Sequence, residues 1–188
     1  MNLLGNLKKP KVLIIGVFHG DEPQGEALIT KYLEAFNNTN LLFIPRLNPT
    51  STRVNYNGVD LNRNFPTKNW ELSEKNEYFG GETPASEEET KFIIETVEKY
   101  KPKLILTLHA PYKVVNYDGP YNDIIAKIAS IMKYPIEESI GYPTPGSFGT
   151  WAGIENNITT ITLELDEEDS IEALSKPVFD VFKLLEDF

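Results

Sequence analysis

The chain contains two histidines, and each follows an apolar segment that predicts a β-strand. His19 follows the segment that begins at Val12, and Glu22 comes three residues after it. His109 directly follows a second such segment, residues 104–108. Two imidazoles and a carboxylate at one edge of a sheet would supply three ligands to zinc and leave a fourth position open for water, which is the pattern of catalytic zinc. These residues therefore point to catalysis.

The His-x-x-Glu spacing alone is a weak signal, because it occurs often by chance and a histidine at a strand end is commonly a hydrogen-bonded loop residue. The sequence has no cysteine, which excludes a disulfide framework and a thiolate zinc site. A metal would therefore have to be bound by histidine and carboxylate groups, and the chain offers few such combinations.

Glu164 is an acidic residue inside a segment, residues 159–165, that is otherwise β-branched and apolar and predicts a core strand. A carboxylate buried there without a partner would cost several kcal/mol. It must lie at an exposed strand end, pair with a cation, or take part in catalysis. Beside a zinc ion it could accept the proton of the metal-bound water and pass it to a leaving amine.

The predicted elements alternate between strands and helices, which indicates an α/β fold. Strands are predicted at residues 11–17, 41–45, 104–108 and 159–165, and helices at residues 22–36, 86–100, 122–132, 151–155 and 176–187. The helix at 86–100 is expected to begin with a capping box of Ser86 and Glu89. At 188 residues, without a repeat or linker, the chain is expected to be a single domain.

Ligands of open α/β sheets bind beyond the carboxyl ends of the strands. His19, Glu22, His109 and Glu164 all fall at such ends, so we expect them to share one site.

A long segment without periodicity, residues 46–84, carries Arg53, Asn62 and Arg63. A loop of this length within a compact domain is usually functional or disordered. Arginine can bind a carboxylate through two parallel hydrogen bonds and can stabilise a developing oxyanion. The alternative is that these arginines pair with loop carboxylates such as Asp60.

The formal net charge of −10 and the pI near 4.7 argue against nucleic acid as a partner, because such binding depends on clustered lysine and arginine. No apolar run approaches the length of a membrane span, and residues 1–10 lack the order of regions found in a secretory leader. We therefore expect a cytoplasmic protein that binds neither nucleic acid nor membrane.

Taken in order, these residues resemble the zinc carboxypeptidase family, and within it the short bacterial branch of murein peptide amidases. The resemblance covers about residues 11–165 and rests on the segments His19-Gly20-Asp21-Glu22, Asn48-Pro49, Arg53, Asp60-Leu61-Asn62-Arg63-Asn64-Phe65-Pro66, His109 and Glu164. Residues 142–151 also look like the amidase branch, in which they would line the pocket. The region of Thr150, Trp151 and Ala152 shows no counterpart of the tyrosine that pancreatic-type members place before the catalytic glutamate.

The resemblance implies a mixed, largely parallel sheet flanked by helices and a catalytic domain with one zinc ion. It implies that His19, Glu22 and His109 bind zinc and that Arg53 polarises the scissile carbonyl. Asn62 and Arg63 would bind the terminal carboxylate of the substrate, and Glu164 would be the general base and then the general acid. The implied reaction is hydrolysis of the amide between γ-D-glutamate and meso-diaminopimelate in peptidoglycan-derived peptides.

Two other interpretations stay open. The aspartoacylase and succinylglutamate desuccinylase branch shares the His-x-x-Glu turn, an Asn-Pro pair and an Asp-Leu-Asn-Arg segment, although residues 64–66 and 146–149 favour the peptidase side. A non-catalytic muropeptide-binding module is the second, and Glu164 argues against it because a binding protein does not need a proton shuttle.

Overall fold

One sheet of seven strands forms the centre of the computed structural model, which describes residues 1–36, 38–137 and 143–188. The strands are β1 (Leu4–Gly5), β2 (Val12–Ile15), β3 (Leu42–Ile44), β4 (Leu104–His109), β5 (Val114–Asp118), β6 (Ile136–Glu137) and β7 (Thr159–Glu164). Their spatial order is β1-β3-β2-β4-β7-β5-β6. The four central strands β3, β2, β4 and β7 are parallel, whereas β1 and β5 run antiparallel to their neighbours β3 and β7. The predicted mixed, largely parallel α/β sheet is confirmed.

Within the described part of the chain, four α-helices cover the sheet, namely α1 (Gln24–Ala35), α2 (Glu88–Tyr100), α3 (Asp123–Met132) and α4 (Ile171–Glu186). Helices α1, α3 and α4 pack on one face, where Tyr32, Ile128 and Phe182 join the core with alternate residues of the strands. Helix α2 packs on the other face through Ile93 and Val97. No helix among the described residues is long and apolar enough to span a membrane.

The face that α2 covers only in part becomes polar towards the ends of the strands. Along β4, Ile105 lies in the core on this side, and it is followed on the same face by Thr107 and His109. The Thr107 hydroxyl lies 3.2 Å from that of Thr162 on β7. Because the side chains of a strand alternate between faces, Glu164 projects on the same side as Thr162. This polar end of the sheet is the floor of a cavity.

Several element boundaries differ from the prediction. Helix α1 begins at Gln24, so Glu22 lies in the preceding turn. Helix α4 begins earlier than predicted, with Ser170 as its cap and Leu174 in the core, and it continues through Pro177. The stretch at Thr150–Glu155 is a π-helix, and strands β1, β5 and β6 were not predicted.

The predicted capping box at Ser86 and Glu89 is wrong. Helix α2 begins one residue after Glu87, which makes no side-chain capping hydrogen bond. The Ser86 hydroxyl instead donates to the Glu87 carboxylate at 2.6 Å, and the backbone N–H of Glu87 donates to Asn64 Oδ1 at 3.2 Å. A tertiary contact with the long loop therefore takes the place of the local cap.

Candidate active site

Three potential metal ligands meet beyond the ends of β2 and β4. His19 lies in the turn after β2, Glu22 follows it before α1, and His109 is the last residue of β4. Nδ1 of His19 lies 2.8 Å from Glu22 Oε1, and Nδ1 of His109 lies 2.9 Å from Glu22 Oε2. One donor atom from each of the three residues lies within 4.8 Å of the others. The convergence expected from the sequence is therefore present.

The chemistry of this donor set fits zinc. Both imidazoles are buried and present the same ring nitrogen to one carboxylate, and an His2Glu set is a known catalytic zinc pattern. Burial acts to raise the pKa of Glu22, but the charges and hydrogen bonds of His109 and His19 outweigh it and hold that pKa well below the usual range. Glu22 is therefore a carboxylate anion, which favours a cation at this point.

Asp60 links this cluster to the long loop. The Asp60 side chain is fully buried, with Oδ1 lying 3.1 Å from His19 Nε2 and accepting a hydrogen bond from the Asn62 backbone N–H at 2.9 Å. Oδ2 accepts from Arg53 Nε at 3.0 Å and lies 2.9 Å from Arg53 Nη2. Burial opposes ionisation, but His19 and Arg53 outweigh it and lower the pKa of Asp60 to about 2.

The role of Asp60 is the main feature of the site that the sequence reasoning missed. From the sequence, Asp60 was expected only as a possible ion-pair partner of the loop arginines. The structure shows this ion pair for Arg53. The same carboxylate also orients His19, and an outer hydrogen bond of this kind fixes the tautomer and direction of a metal-binding imidazole. Burial lowers the pKa of His19, yet Asp60 and Glu22 raise it to about 9.

Glu164 ends β7 directly opposite His109 in the parallel register. It is 6% exposed, and its Oε2 has no hydrogen-bond partner among the described residues. Burial raises the pKa of the Glu164 carboxyl above its ordinary value, against the smaller opposing effect of His109. A buried oxygen without a hydrogen-bond partner costs free energy. Its position beside the ligand cluster therefore favours a role in proton transfer for Glu164 and not a purely structural role.

The predicted substrate-binding residues line the same cavity, which has a volume of about 370 Å³. Asn62 Oδ1 accepts a hydrogen bond from the Phe148 backbone N–H at 2.9 Å, so its NH₂ group remains available to a ligand. Arg63 is buried and donates through Nη1 to the Asn62 carbonyl oxygen at 2.6 Å. The loop at residues 46–84 thus delivers Arg53, Asn62 and Arg63 to one wall.

Aromatic side chains support the reactive end of the cavity. The ring of Phe18 stacks on that of His109, with centroids 5.6 Å apart, and Phe148 packs against Phe18 at 5.3 Å. Within the predicted pocket-lining stretch 142–151, Thr144, Ser147 and Phe148 contact the cavity, whereas residue 142 lies outside the described residues.

Two tyrosines that the sequence reasoning did not select lie at the cavity wall. Tyr78 is 46% exposed, and the guanidinium carbon of Arg53 lies 4.8 Å from the centre of its ring. Tyr112 is 54% exposed and follows His109 by three residues. The sequence analysis had looked for a tyrosine in the region of Thr150, Trp151 and Ala152. Of these three residues, Trp151 is buried and only Thr150 lines the cavity.

Comparisons with known proteins identify relatives of this chain. Residues 3–134 match the model of the zinc carboxypeptidase family. The chain is 33% identical over 145 residues to murein peptide amidase A of Escherichia coli K12, covering 71% of this chain and 59% of that protein. It is 32% identical over 171 residues to murein peptide amidase A of Vibrio campbellii, covering 81% of this chain and 68% of that protein. The chain therefore spans about three fifths to two thirds of the length of these relatives.

Solved structures show the same fold. The murein-tripeptide amidase of Escherichia coli O157 superposes with a TM-score of 0.85 at 26% identity, covering 98% of this chain and 85% of that one. Carboxypeptidase A of Helicoverpa armigera gives a TM-score of 0.75 at 18% identity, covering 95% of this chain and 60% of that one, and this likeness concerns the fold alone.

Proposed function

The chain belongs to the zinc carboxypeptidase family, a family of hydrolases, and from this premise we propose that it is a peptidoglycan-peptide amidase. The specific reaction that we propose is hydrolysis of the amide between γ-D-glutamate and meso-diaminopimelate. The similarity to murein peptide amidase A of two bacteria supports this substrate class. We also propose a cytoplasmic location, with peptides recycled from the cell wall as substrates, which cell fractionation would test.

The observation that carries the proposal is the unpartnered Oε2 of Glu164 beside the His19, Glu22 and His109 cluster. A module that only binds its ligand gains nothing from a buried carboxylate without a partner, since such a group costs free energy. A hydrolase can use such a group as its proton carrier, because a proton must move from water to the leaving amine.

His19, Glu22 and His109 would hold about one zinc ion per chain, and zinc supplies a Lewis acid that polarises a carbonyl oxygen. Glu164 takes a proton from the attacking water as its oxygen adds to the carbonyl carbon. It then delivers that proton to the nitrogen as the carbon–nitrogen bond breaks, so that a carboxylic acid and an amine are released. The raised pKa of Glu164 suits both halves of this transfer.

Arg53 stabilises negative charge on the carbonyl oxygen. Its ion pair with Asp60 uses Nε and Nη2, and the described contacts leave Nη1 available to the substrate. Asn62 and Arg63 donate hydrogen bonds to the free α-carboxylate of the diaminopimelate residue, and the charge of Arg63 makes these bonds strong. Binding of the substrate's α-carboxylate holds the scissile amide next to Glu164.

A direct assay tests the proposal. The zinc-replete protein is incubated with L-Ala-γ-D-Glu-meso-diaminopimelate, and free diaminopimelate is measured by mass spectrometry against the Glu164→Gln variant. We expect release with the wild type and strong loss with the variant. Hydrolysis of N-acetylaspartate or N-succinylglutamate instead would identify the chain as a deacylase, and binding of the tripeptide without cleavage would identify it as a binding module.

A further inference from the structure

Glu87 is a buried carboxylate outside the active-site cavity, and its contacts reach the long loop that supplies the arginines. It lies directly before helix α2 and is 5% exposed. Its side chain makes no capping hydrogen bond to the helix, so α2 does not explain why the charge is buried. A buried charge is costly unless other contacts offset it, and the contacts of Glu87 therefore indicate its role.

One oxygen of this carboxylate binds the turn that leads into Asp60. Glu87 Oε2 accepts hydrogen bonds from Nδ2 of Asn55 and Nδ2 of Asn57, each at 2.7 Å. The buried Asn55 side chain closes the turn, because its Oδ1 accepts from two backbone N–H groups of the same turn at 3.0 and 3.1 Å. The turn therefore determines where the ion pair between Asp60 and Arg53 lies.

The other oxygen is linked to the residue that follows Arg63. Glu87 Oε1 accepts a hydrogen bond from the Ser86 hydroxyl at 2.6 Å, and the Ser86 oxygen accepts one from Asn64 Nδ2 at 3.0 Å. The backbone N–H of Glu87 also donates to Asn64 Oδ1 at 3.2 Å. Asn64 is fully buried, so these bonds hold the backbone next to Arg63 in place.

The charge of Glu87 strengthens both links. Burial opposes its ionisation, but the hydrogen bonds from Ser86, Asn55 and Asn57 outweigh burial and lower the pKa of Glu87 below its ordinary value. Hydrogen bonds to an ionised acceptor are shorter and stronger than those between neutral groups. A single anion therefore connects the two ends of the segment 53–64, which carries both arginines of the cavity.

On the basis of the proposed function, we propose that Glu87 is a positioning residue that sets the distance between Arg53 at the scissile carbonyl and Arg63 at the substrate's α-carboxylate. Glu87 acts through Asn55 and Asn64 and does not itself line the cavity. A substrate bound at both arginines needs this distance to match its own, and a misplacement of about 1 Å can cost about a hundredfold in rate. A substrate without the α-carboxylate depends on Arg53 alone and tolerates a change in the distance.

Two substrates test the inference, namely L-Ala-γ-D-Glu-meso-diaminopimelate and its analogue amidated at the α-carboxyl of diaminopimelate. The values of kcat and KM are measured with zinc-saturated protein. Glu87→Ala should lower kcat/KM on the free tripeptide by about ten- to a hundredfold, but on the amidated analogue by no more than about threefold. Glu87→Gln keeps an acceptor oxygen and should recover part of the loss. Glu88→Ala is the matched control, because it removes an exposed carboxylate at the next position, and it should leave both substrates unaffected.

Asn57→Asp breaks the same contact from the loop side and keeps the inference testable if Glu87→Ala does not fold. It places a second carboxylate against Glu87 at an exposed position, where the like charges repel each other, and it should show the same difference between the substrates.

Equal losses on the two substrates, with kcat lowered and KM unchanged, would indicate a smaller active fraction. This result would overturn the inference and assign Glu87 a purely structural role. Unchanged activity on the free tripeptide in Glu87→Ala or in Asn57→Asp would overturn it as well. Failure of the wild type to cleave either substrate would refute the proposed function and the inference with it.

Discussion

His109 and Glu164 are directly opposite each other as the last residues of the parallel strands β4 and β7. Neighbouring positions in a parallel ladder project from the same face, so this register places the proposed base beside a proposed metal ligand without help from any loop. The rigid core of the sheet therefore sets the spacing between the two groups.

Glu164→Gln should keep zinc and the fold while lowering kcat by about 10² to 10⁴, because the amide cannot take up the proton of water. Below the raised pKa of Glu164 the wild type should also lose activity, since the group is then protonated before water attacks. The residual activity of the variant should not show this decrease at low pH. Activity within about twofold of the wild type would exclude Glu164 as the base.

His109→Ala should lose both metal and activity, because the remaining His19 and Glu22 would leave zinc with only two protein ligands. Elemental analysis of the purified protein gives the zinc content per chain, and the tripeptide assay gives activity. Glu164→Gln is the control, since it should lose activity but retain zinc. Full zinc occupancy in His109→Ala would contradict the ligand assignment.

Asp60→Asn should weaken zinc binding by about 10- to 100-fold, because the neutral side chain no longer fixes the ring of His19. The same change releases Arg53, so kcat/KM should fall even when zinc is saturating. Competition with a zinc chelator measures the affinity. Asp166→Asn, which removes an exposed ion pair with Lys113, should change neither quantity.

The acid stability of the protein should also depend on Asp60. Its pKa is about 2 in the fold against 3.8 for an ordinary aspartate, so its contribution to the free energy of unfolding is fully present above about pH 4. That contribution is lost as the pH falls through 2. Chemical denaturation of the wild type and Asp60→Asn should therefore show a difference in stability that shrinks towards low pH, and a constant difference would contradict the assignment.

Tyr78→Ala should lower kcat/KM by about two- to fivefold, because the exposed ring holds the guanidinium of Arg53 through a cation–π contact. Tyr78→Phe is the matched control, since it keeps the ring and removes only the hydroxyl. It should remain close to the wild type. A large loss in Tyr78→Phe would show that the hydroxyl itself acts on the substrate.

The four central strands β3, β2, β4 and β7 could be predicted because they are apolar or β-branched segments, and both histidines and Glu164 follow or end such segments. The family resemblance and the fold class were confirmed, whereas the roles of the individual site residues remain predictions. Strand β5 was missed because only Val115 in it is fully buried, so its segment lacks a strong apolar signal.

The contacts of Asp60 show a second limit of sequence reasoning. The spacing of Asp60, Asn62 and Arg63 predicts a functional segment, but the contact between Asp60 and His19 joins residues 41 positions apart. Such a contact follows from how the long loop packs against the sheet, and no local pattern encodes it. The predicted start of helix α2 was wrong for a similar reason, because Asn64 from that loop accepts the hydrogen bond of the Glu87 backbone N–H and takes the place of a local cap.

Substitutions of Arg53 and Arg63 should differ in their effect on kcat/KM when substrates with and without a free α-carboxylate are compared. Arg63→Ala should harm the free tripeptide more than its α-amide analogue by about 1.5 to 3 kcal/mol, the range of a hydrogen bond to a charged group. Arg53→Ala should harm both substrates alike, because it acts on the carbonyl oxygen that they share. Comparison of kcat/KM for the two substrates with each variant gives this difference directly. Equal losses on both substrates for Arg63→Ala would remove it from carboxylate binding and reopen the choice of substrate class.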